Sequence, residues 1–391
     1  MNKTSYFTGR GKSSGKKIEL PKVDPTENQK GEGYVASRDL TSAVNVALTL
    51  RMPLLLTGEP GSGKSRLANR IAYEFLGRDE DGKEKPPLEF VVKSDTRGTD
   101  LFYTFDTVGR FHVAQSEKDP DSPRIAPQRF ITFNALGRAI LYAKPKSFLT
   151  DKSPKGLGLS EKQEVVEKHP GQPDRPQVVL IDEIDKAPRD VPNDILTELE
   201  NMRFRIQEFE AADGCEILVK LEKNEYDFRP IVIITSNSEK ALPEAFMRRC
   251  AYFHVETPPF RVDISKDNPE DDEVTVEEII ASRLGARFAP DDKRPNLGQD
   301  AVAFFRHLRD ESKVVLERKP SLAEFIEWLR LILPEEGGST RKRLKDFYED
   351  KEDRIFLLNS ICATLLKEGK AQSDVAAILK GCEELGIEDN G

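Results

Sequence analysis

The sequence predicts an α/β chain with a parallel central sheet, followed by an all-helical C-terminal region. Three observations carry that prediction. Short, wholly apolar runs of strand length recur at 54–57, 90–92, 178–181 and 231–235. Helical patterns lie between them. Beyond about residue 258 the strand-like runs stop and only helical spacing continues. Apolar runs alternating with helices mark buried parallel strands, because crossover helices cover both faces of the sheet.

At 391 residues the chain has room for two or three domains of roughly 100–200 residues each. Hydrophobic residues at 37% supply a core, and charged residues at 33% supply a heavily solvated surface. No apolar run reaches the ~18 residues of a membrane-spanning helix. The start, MNKTSYFTGRGKSSGKK, is basic without an apolar stretch behind it, so it does not read as a secretory signal. Residues 1–18 read as a disordered basic arm. Cys215, Cys250, Cys362 and Cys382 lie far apart, which excludes a disulfide scaffold and a cysteine-only zinc site. The four histidines are equally scattered, and a cytoplasmic protein is the expectation. A net charge of -9 argues against a chain that coats nucleic acid. The basic arm and the lysines from Lys144 to Lys168 keep a local nucleic-acid contact open.

The elements follow in order. Leu40, Ala43, Val44, Ala47 and Leu48 form one face of a helix over 40–50, with Ser37 as its N-cap and Pro53 as its stop. A strand over 54–57, a glycine loop and a helix to about residue 76 come next. Residues 144–176 hold five prolines and many lysines and read as a flexible surface insertion. Between 203 and 229 the apolar period becomes two, through Phe204, Ile206, Ile217, Val219 and Leu221. That predicts a β-hairpin whose turn contains Asp213-Gly214. An acidic, proline-bearing linker over 259–275 then separates an α/β domain (19–258) from a helical domain (276–391). Helices are expected over 276–288, 299–315, 321–333, 341–349, 354–367 and 374–385, the last with Ser373 as cap and Gly386 as stop. Leu322, Phe325, Trp328 and Leu329 have the spacing of helical core residues.

GEPGSGKS at 58–65 fills every fixed position of the phosphate-loop pattern. Gly58, Gly61 and Gly63 let backbone N–H groups converge on phosphate oxygens, and Glu59, Pro60, Ser62 and Arg66 complete the loop and the first helical turn. The helix beginning near Lys64 adds its positive end. Lys64 is placed to reach the β and γ phosphates, and the Ser65 hydroxyl to ligate Mg²⁺. In VVLIDEID, Asp182 ends a buried strand, where ligands bind in open α/β sheets. Asp182 would hold Mg²⁺ directly or through water, and Glu183 would orient and activate an attacking water. Asp185 belongs either to the site or to the next helix. IVIITSN ends another strand with Thr235, Ser236 and Asn237, of which Asn237 is the choice for contacting γ-phosphate and water. PEAFMRRC carries Arg248 and Arg249, a residue type suited to charge on a transferring phosphoryl group.

In this order the motifs GEPGSGKS, VVLIDEIDKAP, the hairpin over 203–229 and IVIITSNSEKALPEAFMRRC resemble an AAA+ ATPase. More narrowly they resemble the MoxR branch, in the clade with an insert in helix 2. DLFYTFDTVGRF at 100–111 falls where that insert is expected, and the match runs over about 33–253. The resemblance implies a P-loop NTPase fold with a β-hairpin before sensor 1 and an all-α lid, using ATP and Mg²⁺. It makes 58–65 Walker A, Asp182 and Glu183 Walker B, Asn237 sensor 1, and Arg249 the arginine finger with Arg248 as fallback. A finger acts on ATP held by a neighbouring copy, so a homo-oligomeric ring, a hexamer, is implied. The family's sensor 2 arginine is missing from ERKPSLAEFIEWL, where Lys319, then Arg318, is nearest. Tyr34 and Val35 in GEGYVAS are the candidates for the adenine pocket. The resemblance further implies chaperone-like remodelling of a protein partner, with a von Willebrand A-type protein among such partners. A switch or scaffold in a bacterial defence or stress system, a nucleic-acid-stimulated motor, and GTP in place of ATP are the alternatives.

Overall fold

Runs that are apolar at every position need cover on both faces, and the fold supplies it. The computed structural model describes residues 30–119, 122–153, 156–210, 216–237, 242–261, 273–288, 296–310, 312–334 and 343–387. The basic arm, the Asp213-Gly214 turn, Cys215 and linker residues 262–272 lie outside those residues.

The strands are β1 (Leu54–Gly58), β2 (Leu88–Val91), β3 (Tyr103–Phe105), β4 (Ile131–Phe133), β5 (Val178–Asp182), β6 (Arg203–Glu210), β7 (Glu216–Lys220), β8 (Ile231–Thr235) and β9 (Ala251–Val255). Five of them form one sheet in the order β2-β5-β8-β1-β9, and every pairing is parallel. Successive strand residues point to opposite faces. Leu55, Val179, Ile181, Val232 and Ile234 therefore join one core, with Leu136 and Ile140. Leu54, Leu56, Val178, Leu180, Ile231 and Ile233 join the other, with Leu67, Ala68 and Ile71 of the helix Lys64–Leu76. Each such leucine contributes about 1.5–3 kcal/mol on burial. The helix Arg38–Leu50 closes this second face, and the Ser37 hydroxyl caps it by accepting from the Leu40 N–H.

Two parts of the sheet structure were not expected. β9 is an edge strand with alternating burial, so it lacks the continuous apolar run of its neighbours. The antiparallel pair β3–β4 has three residues in each strand, too few to show a period. The β6–β7 hairpin is antiparallel as expected.

Residues 144–176, expected as a surface excursion, carry two short helices, Lys146–Thr150 and Glu164–Glu167. Leu149, Leu157, Leu159, Val165 and Val166 enter the main core from here. Their irregular spacing hid them among prolines and lysines. Lys144 and Glu225 make a buried ion pair at 2.8 Å, with the ammonium over the Phe148 ring. Removing either partner would strand a buried charge.

The C-terminal helices pack around their own core. Leu322, Phe325, Trp328 and Leu329 are all inside it, as their spacing requires. Phe305 and Phe325 stack with ring centroids 4.2 Å apart, and the Trp328 indole N–H donates to the Ser360 hydroxyl at 3.0 Å. Several helix ends differ from expectation. The second helix spans Leu297–Arg309, shorter than 299–315, because Asn296 and Gln299 form a capping box at its start and Asp310 is already extended. The expected helix over 374–385 splits into Val375–Lys380 and a turn at Glu383–Leu385. Asp374, not Ser373, precedes it, since the Ser373 hydroxyl donates back to the carbonyls of Gly369 and Lys370. Gly386, at φ +60°, stops the last turn as expected. Among the described residues no helix is long and apolar enough to cross a membrane.

Candidate functional site

β1, β5 and β8 are neighbours in the sheet and all run the same way, so their C-terminal ends open onto one crevice of about 1290 Å³. The helical region forms its opposite wall through Ile279, Arg283, Leu322, Ile326 and Lys367. The phosphate loop leaves β1 through Gly58, at φ +137°, where a side chain would collide with the Val255 carbonyl of β9. Gly61, at φ +80°, faces the lid, and a Cβ there would come within 2.8 Å of the Ser321 hydroxyl. Both glycines are required by conformation and by close approach together.

Lys64 opens the helix behind the loop and is buried. Its ammonium donates to the carbonyls of Gly58 at 2.8 Å and Glu59 at 2.9 Å. Burial lowers its pKa, while Asp182, Asp185 and Glu183 pull the other way. The Ser62 hydroxyl is shielded from solvent and has no hydrogen-bond partner among the described residues. Such an orphaned group in a phosphate loop fits a ligand with acceptor oxygens.

Ser65 and Thr235 both donate to the same oxygen of Asp182, at 2.7 Å and 2.5 Å. Hydroxyl and carboxylate oxygens suit Mg²⁺, which takes few protein ligands and keeps waters and phosphates for the rest. Among the described residues no cluster of three or more His, Cys, Asp or Glu side chains could hold a metal alone. The donor set therefore fits a magnesium ion that arrives with a nucleotide.

Glu183 adopts a left-handed backbone, φ 60° and ψ 49°. That costs about 1–3 kcal/mol for a residue other than glycine and needs surrounding structure to hold it. Thr235 provides part of that hold, because its hydroxyl accepts from the Glu183 N–H at 2.9 Å. The Glu183 carboxylate pairs with Lys186 and lies 3.5 Å from the Asn237 side-chain amide. Asn237 is fixed in turn by its own N–H, which donates to Asp185 at 3.2 Å. Asp185 thus belongs with the site through Asn237. The sequence favours Asn237 among the polar residues that end β8, yet Thr235 ties Asp182 and Glu183 together. A buried threonine at a strand end was the only signal for it.

Tyr34 and Val35 line the crevice, with the Tyr34 ring beside Gly63 of the phosphate loop. Burial pushes the Tyr34 phenol up to about 12, and the Arg66 guanidinium lies over its ring. Burial, then the neighbouring Arg283, lowers Arg66 to about 10. Arg283 is a lid residue that sequence reasoning missed.

Neither Lys319 nor Arg318 lines the crevice, but Lys319 is close enough to the phosphate loop for its charge to help lower the Glu59 carboxyl. The lid helix Leu322–Ile332 begins with Ser321, its N-cap, against Gly61 of the phosphate loop. Arg318 instead pairs with Glu324. Arg309 is a lid cation that hydrogen-bonds to the loop, donating to the Glu59 carboxylate at 2.8 Å. Nothing in its helical context marked it out.

Arg249 also lies outside this chain's own crevice. It donates to Glu200 at 2.6 Å and to the Ala245 carbonyl at 3.0 Å. With Arg51, Arg229 and Arg248 it lines a separate cavity of about 280 Å³. Cys250, next to it, is buried, and burial pushes its thiol up to about 12, which rules out a thiolate nucleophile at neutral pH.

No curated protein matches the chain. The family model of the AAA domain (dynein-related subfamily) matches residues 53–250, just over half the chain, from the residue before β1 to the residue before β9. With its phosphate loop and acidic strand end inside that match, the chain belongs to the AAA-domain family, in its dynein-related subfamily, and so to the ATP-binding P-loop ATPases.

Proposed function

We propose that this chain hydrolyses Mg²⁺-bound ATP in the crevice between sheet and lid and uses it to remodel or assemble a protein partner, as a MoxR-like ring. The carrying observation is the convergence of Lys64, Ser65, Asp182, Glu183 and Asn237 on one crevice. Lys64 and the loop N–H groups bind the phosphates. Ser65 and Asp182 hold Mg²⁺, which supplies neutralising charge when bound. Glu183, oriented by its strained backbone and Asn237, takes the proton of the attacking water. Arg249 serves the nucleotide of the next copy, a role supported by its place in a separate cavity rather than in the lining of its own crevice. Ring closure and a protein client, von Willebrand A-type or other, complete the reading, with the cytoplasm as its setting.

The test is ATP binding by calorimetry together with turnover at rising protein concentration. Binding with a rate per subunit that rises with concentration supports the ring enzyme. Binding without turnover at any concentration would replace it with a switch or scaffold, and stimulation by DNA would replace it with a nucleic-acid motor. Equal or tighter binding of GTP would change the substrate. No affinity for either triphosphate in folded protein would end the reading.

A further inference from the structure

We propose that Arg309 is a positioning residue that ties the helical lid to the phosphate loop through Glu59, so that lid placement and phosphate binding are coupled. The inference rests on the nucleotide reading of the crevice and names a lid contact which that reading does not contain.

Arg309 ends the helix Leu297–Arg309, and its side chain is only 13% exposed. One guanidinium nitrogen donates to the Glu59 carboxylate at 2.8 Å and to the Thr257 hydroxyl at 3.0 Å. Another donates to the Pro320 carbonyl at 2.8 Å, directly before the lid helix that abuts Gly61. The ring of Phe305 lies beneath the guanidinium. A fork held on three sides in this way is pre-organised, and a lysine could not reproduce it. The Arg309 hydrogen bond is also the main reason that the Glu59 carboxyl sits below its ordinary range.

Glu59 faces both ways. Its carboxylate holds Arg309, and its main-chain carbonyl accepts from the Lys64 ammonium at 2.9 Å. The phosphate-binding lysine and the lid are thus joined through a single loop residue. Movement of Lys64 onto a phosphate changes the hold on Glu59, and a shift of Glu59 moves the anchor of the lid.

The experiment measures affinity for a fluorescent ATP analogue, with KM and kcat for ATP, in wild type, Arg309→Ala, Arg309→Lys, Glu59→Gln and the double variant Glu59→Gln/Arg309→Ala. Coupled residues predict a Kd and KM about tenfold higher in Arg309→Ala and in Glu59→Gln, with kcat within about twofold. The double variant should lose no more than the larger single loss, and Arg309→Lys should recover only part of it. Should Arg309→Ala fail to fold, Glu59→Gln, on the exposed side of the pair, decides alone. A wild type that binds no nucleotide would overturn the crevice reading, and this coupling with it. A wild type that binds normally, with Glu59→Gln equal to it or with losses that add in the double variant, would overturn the coupling alone.

Discussion

Ser65 and Asp182 stand 117 positions apart in the chain and meet at 2.7 Å, hydroxyl to carboxylate. The first lies in the opening turn of the helix behind β1, and the second ends β5, with β8 between the two strands. Thr235 at the end of β8 closes that gap by donating to the same Asp182 oxygen. Two strand ends and the start of the helix behind a third strand are therefore locked together by two hydroxyls and one carboxylate.

Thr235→Val keeps the shape of the side chain and removes both of its hydrogen bonds. Thr235 is buried, so the Glu183 N–H would lose its acceptor. The expected loss is about 1–3 kcal/mol of stability, read by urea unfolding. Turnover should fall with it, while Thr235→Ser, which retains the hydroxyl, stays near wild type on both counts.

Glu183→Gln should bind ATP as wild type does and lose roughly 10²–10⁴ in kcat, the range for removing a general base. Single-turnover rates measured with and without the substitution give the comparison. Wild-type turnover in this variant would take the proton-accepting role away from Glu183.

Arg249→Ala and Lys64→Ala should each be inactive, for different reasons. The first leaves an intact crevice, and the second leaves an intact arginine. Mixing the two proteins should restore activity, because a crevice of one kind can meet an arginine of the other. ATPase assays across mixing ratios check this. A mixture as inactive as its components would place Arg249 outside the reaction.

His169 predicts a pH dependence. Its Nε2 lies 3.2 Å from the Leu141 carbonyl, and its Nδ1 accepts from the Gly171 N–H at 3.0 Å, an arrangement that needs a neutral ring. Burial, its largest cause, lowers the pKa from the ordinary 6.5, so the unfolded chain binds the proton more readily. Stability from this source is complete above pH 6.5 and declines as the pH falls through that value toward the lower folded pKa. His307 is lowered in the same direction, also chiefly by burial. His169→Gln should therefore flatten part of the slope just below pH 6.5 in a melting-temperature profile, a region to which His307 also contributes. An unchanged slope below pH 6.5 would count against the tautomer assigned to His169.

The legible parts of the molecule share a property. β1, β5 and β8 are central strands buried at every position except Asp182, which ends β5, so each left an unbroken apolar run. β9 and β2 are edges, partly exposed, and their text is correspondingly mixed. β2 was legible only through Phe90, Val91 and Val92, and β9 not at all. In the segment over 144–176, the buried Lys144–Glu225 pair and the scattered leucines belong to the core, yet composition pointed to the surface. Composition averages over residues, whereas burial is decided one side chain at a time.

The sequence alone determined what contiguous residues can express: the loop at 58–65, the acids that end β5, and the polar residues that end β8. Those depend on local backbone chemistry and on strands whose two faces are both covered, and they survive any detail of packing. Only the tertiary structure decided that Thr235 joins Asp182 to Glu183, that Arg249 lines a separate cavity and pairs with Glu200, and that Arg309 hydrogen-bonds to the loop. The reason is that the first two are set by how elements distant in the chain assemble within the α/β domain, and the third by how the helical region packs against it. Helical periodicity records which face of a helix is buried, and carries no information about which of its polar ends meets a loop some 250 residues away.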